Sequence, residues 1–224
     1  MQKPVIIFGT STLGQSVDLY LTRDSTRDVV AYSATRAAIA QQALTTLHGK
    51  PVVPFEEVET LYPPSRYDMF VAVGYAKMNR QKEEFITKAE AKGYTLISHI
   101  CSSATHWGDV KMGPNVFVFD NNNIQPSVTI GKGVILGRGS NIGHDSVIED
   151  YAFLANHVVL CGHNQIGKFC FVGSNATIMD GVKLAPSTLV GATSFIKRDT
   201  SEGDAFVAAA TPKSPKKSDE FFDW

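Results

Sequence analysis

Residues 130–148 read Ile130-Gly131-Lys132-Gly133-Val134-Ile135-Leu136-Gly137-Arg138-Gly139-Ser140-Asn141-Ile142-Gly143-His144-Asp145-Ser146-Val147-Ile148. An aliphatic residue returns at every sixth position. The beat extends both ways, through Met112, Val118, Ile124, Ile130, Leu136, Ile142, Ile148, Leu154, Leu160, Ile166, Val172, Ile178, Leu184, Val190 and Ile196. With 43% hydrophobic residues overall, fifteen consecutive hits arise by chance only about 3 times in a million, which rules out accident. A helix repeats near 3.6 residues and a strand at 2, and six is neither. Three sixes make one coil of a three-sided solenoid with a short strand on each side, and hexapeptide repeats are a signature of parallel β-helices.

The other places of the hexad agree. With the aliphatic residue as place 1, place 2 holds Gly113, Gly131, Gly137, Gly143, Gly167, Gly173 and Gly191. These read as tight corners that use glycine's backbone freedom. Place 5 is nearly all small or β-branched, as in Val128, Val134, Ser140, Ala152, Val158, Ala176 and Thr188. Places 5 and 1 lie two residues apart, so both point inward and pair one small with one large side chain. Places 3 and 4 fall at corners and face outward. Asn122 is a poor place 5, and 120–123 is polar throughout, so the first hexads are weak.

Residues 1–100 lack this beat and alternate strand with helix. Val5 to Phe8 is a strand, followed by Gly9-Thr10-Ser11-Thr12-Leu13-Gly14 and a helix with Leu13, Val17 and Leu21 on one face, capped by Ser11 or Thr12. Further strands are expected at Val29 to Tyr32, Met69 to Val73 and Thr95 to Ile97, and a helix at Gln81 to Lys92 stopped by Gly93. Pro63-Pro64-Ser65 is a loop, and the segment from Arg36 to Lys50 fits no element. The alternation implies a small parallel sheet with ligands at its carboxyl edge. The glycine turn suits a phosphate at a helix N-terminus, or equally a tight turn with no ligand. The expected organisation is an α/β Rossmann-like domain over 1–100, a parallel β-helix over 101–200 and a tail over 201–224.

Composition narrows the function. The 224-residue chain carries a formal net charge of -1, which argues against a nucleic-acid partner held by bulk electrostatics. Cys101, Cys161 and Cys170 lack metal or disulfide spacing and read as free thiols in a reducing cytosol. Met-Gln-Lys-Pro opens no signal stretch, and no apolar run approaches the roughly 20 residues of a membrane span. A cytoplasmic protein is expected.

Three of the six histidines, His144, His157 and His163, fall within twenty residues. One coil is eighteen residues, so residues eighteen apart stack at about 4.8 Å. Asp145 then lies under His163, and His144 under Gly162, which leaves a gap above the imidazole. An imidazole with a carboxylate beside it can take a proton from an incoming hydroxyl or amine. A zinc site of the kind found in solenoid hydratases is disfavoured, because His157 and His163 are six apart and sit on successive sides. No metal is expected.

Ser140-Asn141-Ile142-Gly143-His144-Asp145-Ser146-Val147-Ile148, with Gly9-Thr10-Ser11, Gly14 and Val73-Gly74-Tyr75 running into Asn79-Arg80, resembles the left-handed β-helix acyltransferases of bacterial surface-sugar pathways. The likeness covers about residues 3–210. It is greatest to the two-domain group of UDP-4-amino-sugar N-acetyltransferases, perosamine N-acetyltransferases and sialic acid O-acetyltransferases. The resemblance implies a left-handed solenoid, a homotrimer with its active site between subunits, and acetyl-CoA as co-substrate in the groove between neighbours. It implies His144 as general base supported by Asp145, and acetyl-CoA contacts at Gly162, Ser174 and Ala192. It implies nucleotide-sugar contacts at Gly9, Ser11, Tyr32, Ser33, Gly74, Tyr75 and Asn141.

Three positions depart from the group. Tyr32-Ser33 stands where relatives carry an Asp pair, Phe153 where they carry a second histidine, and Ala208-Ala209-Ala210-Thr211-Pro212 where they end Gly-x-Pro-Ala. His157 or His163 can stand in for the missing histidine. The expected reaction is direct acyl transfer to a sugar 4-amino group, with a backbone N–H near Gly162 steadying the oxyanion. Sugar O-acetylation, a non-catalytic nucleotide-sugar scaffold and a zinc hydratase are the competing readings. Lys197 and Arg198 can meet CoA phosphates or solvent. The tail, with Phe221, Phe222 and Trp224, reads as disordered or docked on a neighbouring subunit.

Overall fold

The computed structural model describes residues 2–221, so Phe222 and Trp224 lie outside the described residues. The first domain is an open sheet of five strands in the order β3-β4-β2-β1-β5: β1 (Val5–Phe8), β2 (Val29–Ala34), β3 (Thr46–Leu47), β4 (Lys50–Pro54) and β5 (Asp68–Val71). All pairings are parallel except β3 with β4. Helices α1 (Thr12–Asp24), α2 (Arg36–Gln42) and α3 (Val58–Leu61) connect them, and α4 (Arg80–Ala91) follows β5. The segment from Arg36 that fits no element in the sequence thus supplies α2 and β3. The expected strand at Thr95 to Ile97 is reduced to one bridge between Met69 and Leu96. Ser11 is the N-cap residue of α1, but its side chain makes no capping bond.

Eighteen two-residue strands follow, from β6 (His99–Ile100) to β23 (Ala205–Phe206), in parallel sheets of seven, six and five strands. The solenoid therefore runs past the expected 101–200 at both ends. Every pairing is in an eighteen-residue register, such as Asn141 with Val159 and Ile142 with Leu160, except the last, where Leu189 pairs with Ala205. Place 1 is buried from Val118 to Ile196. Met112 is the exception, at 38% exposed, because the first coil has no complete coil beneath it. Asn122 is buried without penalty: its Nδ2 donates to Phe119 O (2.7 Å) and Gly137 O (2.8 Å), and its Oδ1 accepts from Ser140 N (3.1 Å).

The place-2 glycines are explained differently from the expectation. The left-handed backbone occurs at place 4, as at Asp145 (φ 55°), His157 (φ 57°) and His163 (φ 49°). At place 2 a β-carbon on Gly113, Gly131, Gly137, Gly143, Gly167, Gly173 or Gly191 would stand 2.5–2.9 Å from atoms of the next coil. Close coil-to-coil approach, not a special φ, demands glycine there.

The first domain packs on the seven-stranded face. Phe117 and Ile135 join the cluster of Val5, Ile7, Val17 and Leu21, while Tyr151 and Phe169 join that of Ile86 and Ala89. Polar ties fix the register. Asn115 uses its side-chain amide to bond both the N–H (2.7 Å) and the C=O (3.1 Å) of Val71 on edge strand β5. Asn79 Nδ2 donates to the carbonyls of Phe169 (3.3 Å) and Cys170 (3.2 Å). Among the described residues no helix is long and apolar enough to cross a membrane.

Candidate active site

His144 and Asp145 form one corner of the solenoid, between the strands Asn141–Ile142 and Val147–Ile148. The eighteen-residue stacking holds them there. His144 N donates to Gln125 Oε1 (3.0 Å), Asp145 N to Pro126 O (3.1 Å), and His163 N to His144 O (2.8 Å). His144 Nδ1 is 2.9 Å from Asp145 Oδ2, and both side chains are about half exposed. An ionised carboxylate only accepts, so in the neutral imidazole this contact places the proton on Nδ1 and the lone pair on Nε2. His163 Nδ1 lies 4.0 Å from the same Asp145 oxygen, and the two imidazoles meet edge to face with centroids 4.7 Å apart. Donor atoms of His144, Asp145 and His163 lie within 4.8 Å of one another. This trio takes in His163 but not His157, which stands over Gly139 on another corner.

Gly162 sits above His144, as the spacing predicts, but two expectations about it change. The space over its Cα is not open: a β-carbon there would stand 3.1 Å from His144 Nε2 and 2.9 Å from Asp180 Oδ1. Its N–H donates to Asn164 Oδ1 (3.2 Å) and is thus unavailable to an oxyanion. Asp180 was not among the expected site residues, although 144, 162 and 180 share the spacing of eighteen.

Ser174 and Ala192 stack on a second corner, tied by Thr193 N to Ser174 O (2.8 Å). The six-stranded face, which carries Asn141, Val159, Thr177 and Phe195, lies between this corner and that of His144. Phe195 is 60% exposed, and Cys161 and Met179 beside it are exposed too. Lys197 and Arg198 are exposed just beyond. Asn141 is part-buried and accepts from Asn123 Nδ2 (2.9 Å).

In the first domain a cavity of about 460 Å³ opens at the carboxyl ends of β1, β2 and β5. Gly9, Ser11 and Gly74 line it, together with Thr35, Gln42 and Gln81, which the sequence did not single out. Tyr32 and Ser33, expected as ligand contacts, are fully buried. The Tyr32 hydroxyl donates to Asp18 Oδ2 (2.6 Å) under α1, and Ala34 and Thr35 take their place at the cavity wall. Close packing requires Gly9 and Gly14 without any ligand, since β-carbons there would stand 2.5 Å from Ala72 O and 2.1 Å from Gly9 O, and Gly9 also sits at φ +119°. Tyr75 is 58% exposed and meets Phe153 edge to face (5.2 Å between centroids) and Phe171 at a tilt (4.9 Å), so Phe153 lies on the domain-packed face and not at the His144 corner.

Neither buried thiol is an activated nucleophile. Burial pushes Cys101 up to about 12 and Cys170 up to about 11. Neither of these two thiols therefore supports a covalent acyl intermediate.

By fold, the chain is similar to the hexapeptide-repeat sugar acyltransferases with a left-handed β-helix. Its particular likenesses are these. PerB from Caulobacter crescentus, solved with CoA and GDP-perosamine, superposes with a TM-score of 0.82 at 25% identity, over 92% of this chain and 94% of PerB. The acetyltransferase domain of PglB from Neisseria gonorrhoeae gives a TM-score of 0.83 at 21% identity, over 92% and 97%. Among curated sequences, the bifunctional protein GlmU of Limosilactobacillus fermentum is 28% identical over 134 residues, 50% of this chain and 29% of GlmU. The chain spans less than half the length of the curated relatives it matches. No protein-family profile matches the chain.

Proposed function

We propose that this chain transfers the acetyl group of acetyl-CoA to the 4-amino group of a nucleotide-linked sugar, in the cytoplasmic synthesis of a bacterial surface glycan such as an O-antigen. The observation that carries the reading is the His144–Asp145 pair, with Nδ1 held at 2.9 Å and Nε2 turned toward Gly162. Asp145 fixes the tautomer and balances the imidazolium that forms when Nε2 takes a proton. His144 deprotonates the acceptor, whose nitrogen attacks the thioester directly. The likeness to PerB, solved with CoA and a nucleotide-sugar, supports both substrates.

Residues of the first domain hold the nucleotide in this reading, through Gly9, Ser11, Gly74 and the hydroxyl of Thr35 at the cavity wall. Tyr75 and Asn141 lie outside that cavity's lining and are assigned to the sugar. Gly162, Ser174 and Ala192 contact acetyl-CoA. Because the Ser174–Ala192 corner and the His144 corner flank one face, a neighbouring copy set against that face brings a base and a CoA-binding corner together, as a homotrimer does. The exposed Phe195 and Met179 give that face apolar surface to bury.

The experiment is thiol release from acetyl-CoA with UDP-, dTDP- and GDP-linked 4-amino sugars. His144→Ala is expected to retain acetyl-CoA binding and lose roughly 100- to 10,000-fold in turnover. Acetyl-CoA at about 100 times its Kd should stabilise the protein by roughly 2.7 kcal/mol. No thermal shift with acetyl-CoA, and no thiol release with any sugar, would point to a scaffold instead.

A further inference from the structure

A base at this corner does not by itself distinguish an amine acceptor from a hydroxyl. We propose that Asp180 does: it selects and orients a protonated amine against His144 Nε2. The proposal rests on His144 being the base.

The geometry is set by three coils. His144, Gly162 and Asp180 stack at a spacing of eighteen, with Gly181 N donating to Gly162 O (2.9 Å) to hold the upper coil. Asp180 Oδ1 and His144 Nε2 lie 2.9 and 3.1 Å from one point, the place of a β-carbon on Gly162. Only glycine lets both approach that point. The ion pairs at this corner go to Asp145, and among the described residues the exposed Asp180 carboxylate has no ion-pair partner. The imidazole therefore stands between two carboxylates, Asp145 at Nδ1 and Asp180 toward Nε2.

That arrangement suits an ammonium. An arriving R–NH3⁺ has three hydrogens, so it can donate one to Asp180 and another to His144 Nε2, and its charge is matched by the added carboxylate. A hydroxyl has one hydrogen, which must go to Nε2, and the alkoxide it becomes faces an anion. In the step itself, Nε2 removes one proton from the ammonium and the freed lone pair forms the C–N bond at the thioester carbon. The C–S bond breaks as the carbonyl re-forms. The departing sulfur takes the second proton, the third stays on the amide nitrogen, and the proton on His144 passes to solvent. The sum is R–NH3⁺ and acetyl-CoA giving the N-acetyl sugar, CoA–SH and one proton.

The test is steady-state kinetics of the full chain with its nucleotide-linked amino sugar and the corresponding hydroxy sugar. For Asp180→Asn, which keeps the volume, the KM of the amine should rise roughly 10- to 100-fold, the worth of one charge-assisted hydrogen bond. The KM of acetyl-CoA should stay the same, the preference for amine over hydroxyl should shrink by the same factor, and Asp180→Glu should recover part of it. If Asp180→Asn leaves the amine KM and that preference within about twofold while His144→Ala abolishes transfer, the proposal is overturned and the base assignment stands. If both KM values rise together with a loss of thermal stability, Asp180 is structural and the proposal again fails. If His144→Ala keeps its rate, the underlying reading fails.

Discussion

Asp145 Oδ2 stands 2.9 Å from Nδ1 of its sequence neighbour His144, a contact that adjacent residues make here because the corner turns Asp145 into the left-handed region at φ 55°. In the proposed reaction this bond holds the proton on Nδ1 and leaves Nε2 to act as the base. Asp145→Asn preserves shape but offers its amide as readily as its carbonyl, and it no longer balances an imidazolium. Its kcat should fall by a factor of roughly 10 to 10,000, with the KM for acetyl-CoA little changed. A near-normal kcat in stopped-flow thiol release would remove Asp145 from the mechanism.

Gly162→Ala tests the same corner from above. The new methyl would press on Asp180 Oδ1 and His144 Nε2, both at the free ends of side chains, so the solenoid can yield by displacing the atoms to which the proposed reaction assigns a role. The backbone at φ +142° also resists a β-carbon, at a cost of about 1–3 kcal/mol. The expectation is a folded protein with a modestly lower Tm and a large loss of kcat. Unchanged kcat with a lowered Tm would show that these atoms do not act in the reaction.

What could be read from the sequence follows from how strongly each position is constrained. Burial in a narrow bore leaves place 1 no freedom, so Val118 to Ile196 announce the solenoid. The corner of His144 and Asp145 was legible for the same reason, since a fixed register converts spacing into proximity. Asp180 obeys the same arithmetic one coil further but is an ordinary exposed acid by composition. Strand β4 contains Pro51 and Pro54, which mask its pattern. The inward direction of Tyr32 depends on α1 crossing that face with Asp18 beneath it, a tertiary fact that no local pattern carries.

Tyr32→Phe separates the two roles open to that residue. Its hydroxyl is buried against Asp18, which also pairs with Lys50, and that burial, with the Asp18 carboxylate, raises the phenol above its usual range. Removing the hydroxyl leaves one acceptor of Asp18 unfilled and should cost about 1–3 kcal/mol. The KM for the nucleotide-sugar should not move. A KM effect without a stability effect would return Tyr32 to the ligand site.

Lys82 carries the last expectation. It is fully buried on α4, its Nζ has no hydrogen-bond partner among the described residues, and it lies 5.4 Å from the centroid of the Phe153 ring. Desolvation lowers its pKa from 10.5 to about 7. The folded value is below the unfolded one, so between pH 7 and 10.5 the unfolded chain binds more protons and stability rises with pH. Below pH 7 both states are protonated and the full penalty of the buried charge persists. Lys82→Met fills the same space without that penalty. It should stabilise the protein at neutral pH by roughly 1–3 kcal/mol, and the gain should shrink as pH climbs toward 10. Denaturant unfolding of both proteins across this range is the check. A gain that stays constant or grows with pH would mean that Lys82 is paired or hydrated in solution and that the interface between α4 and the solenoid is not dry.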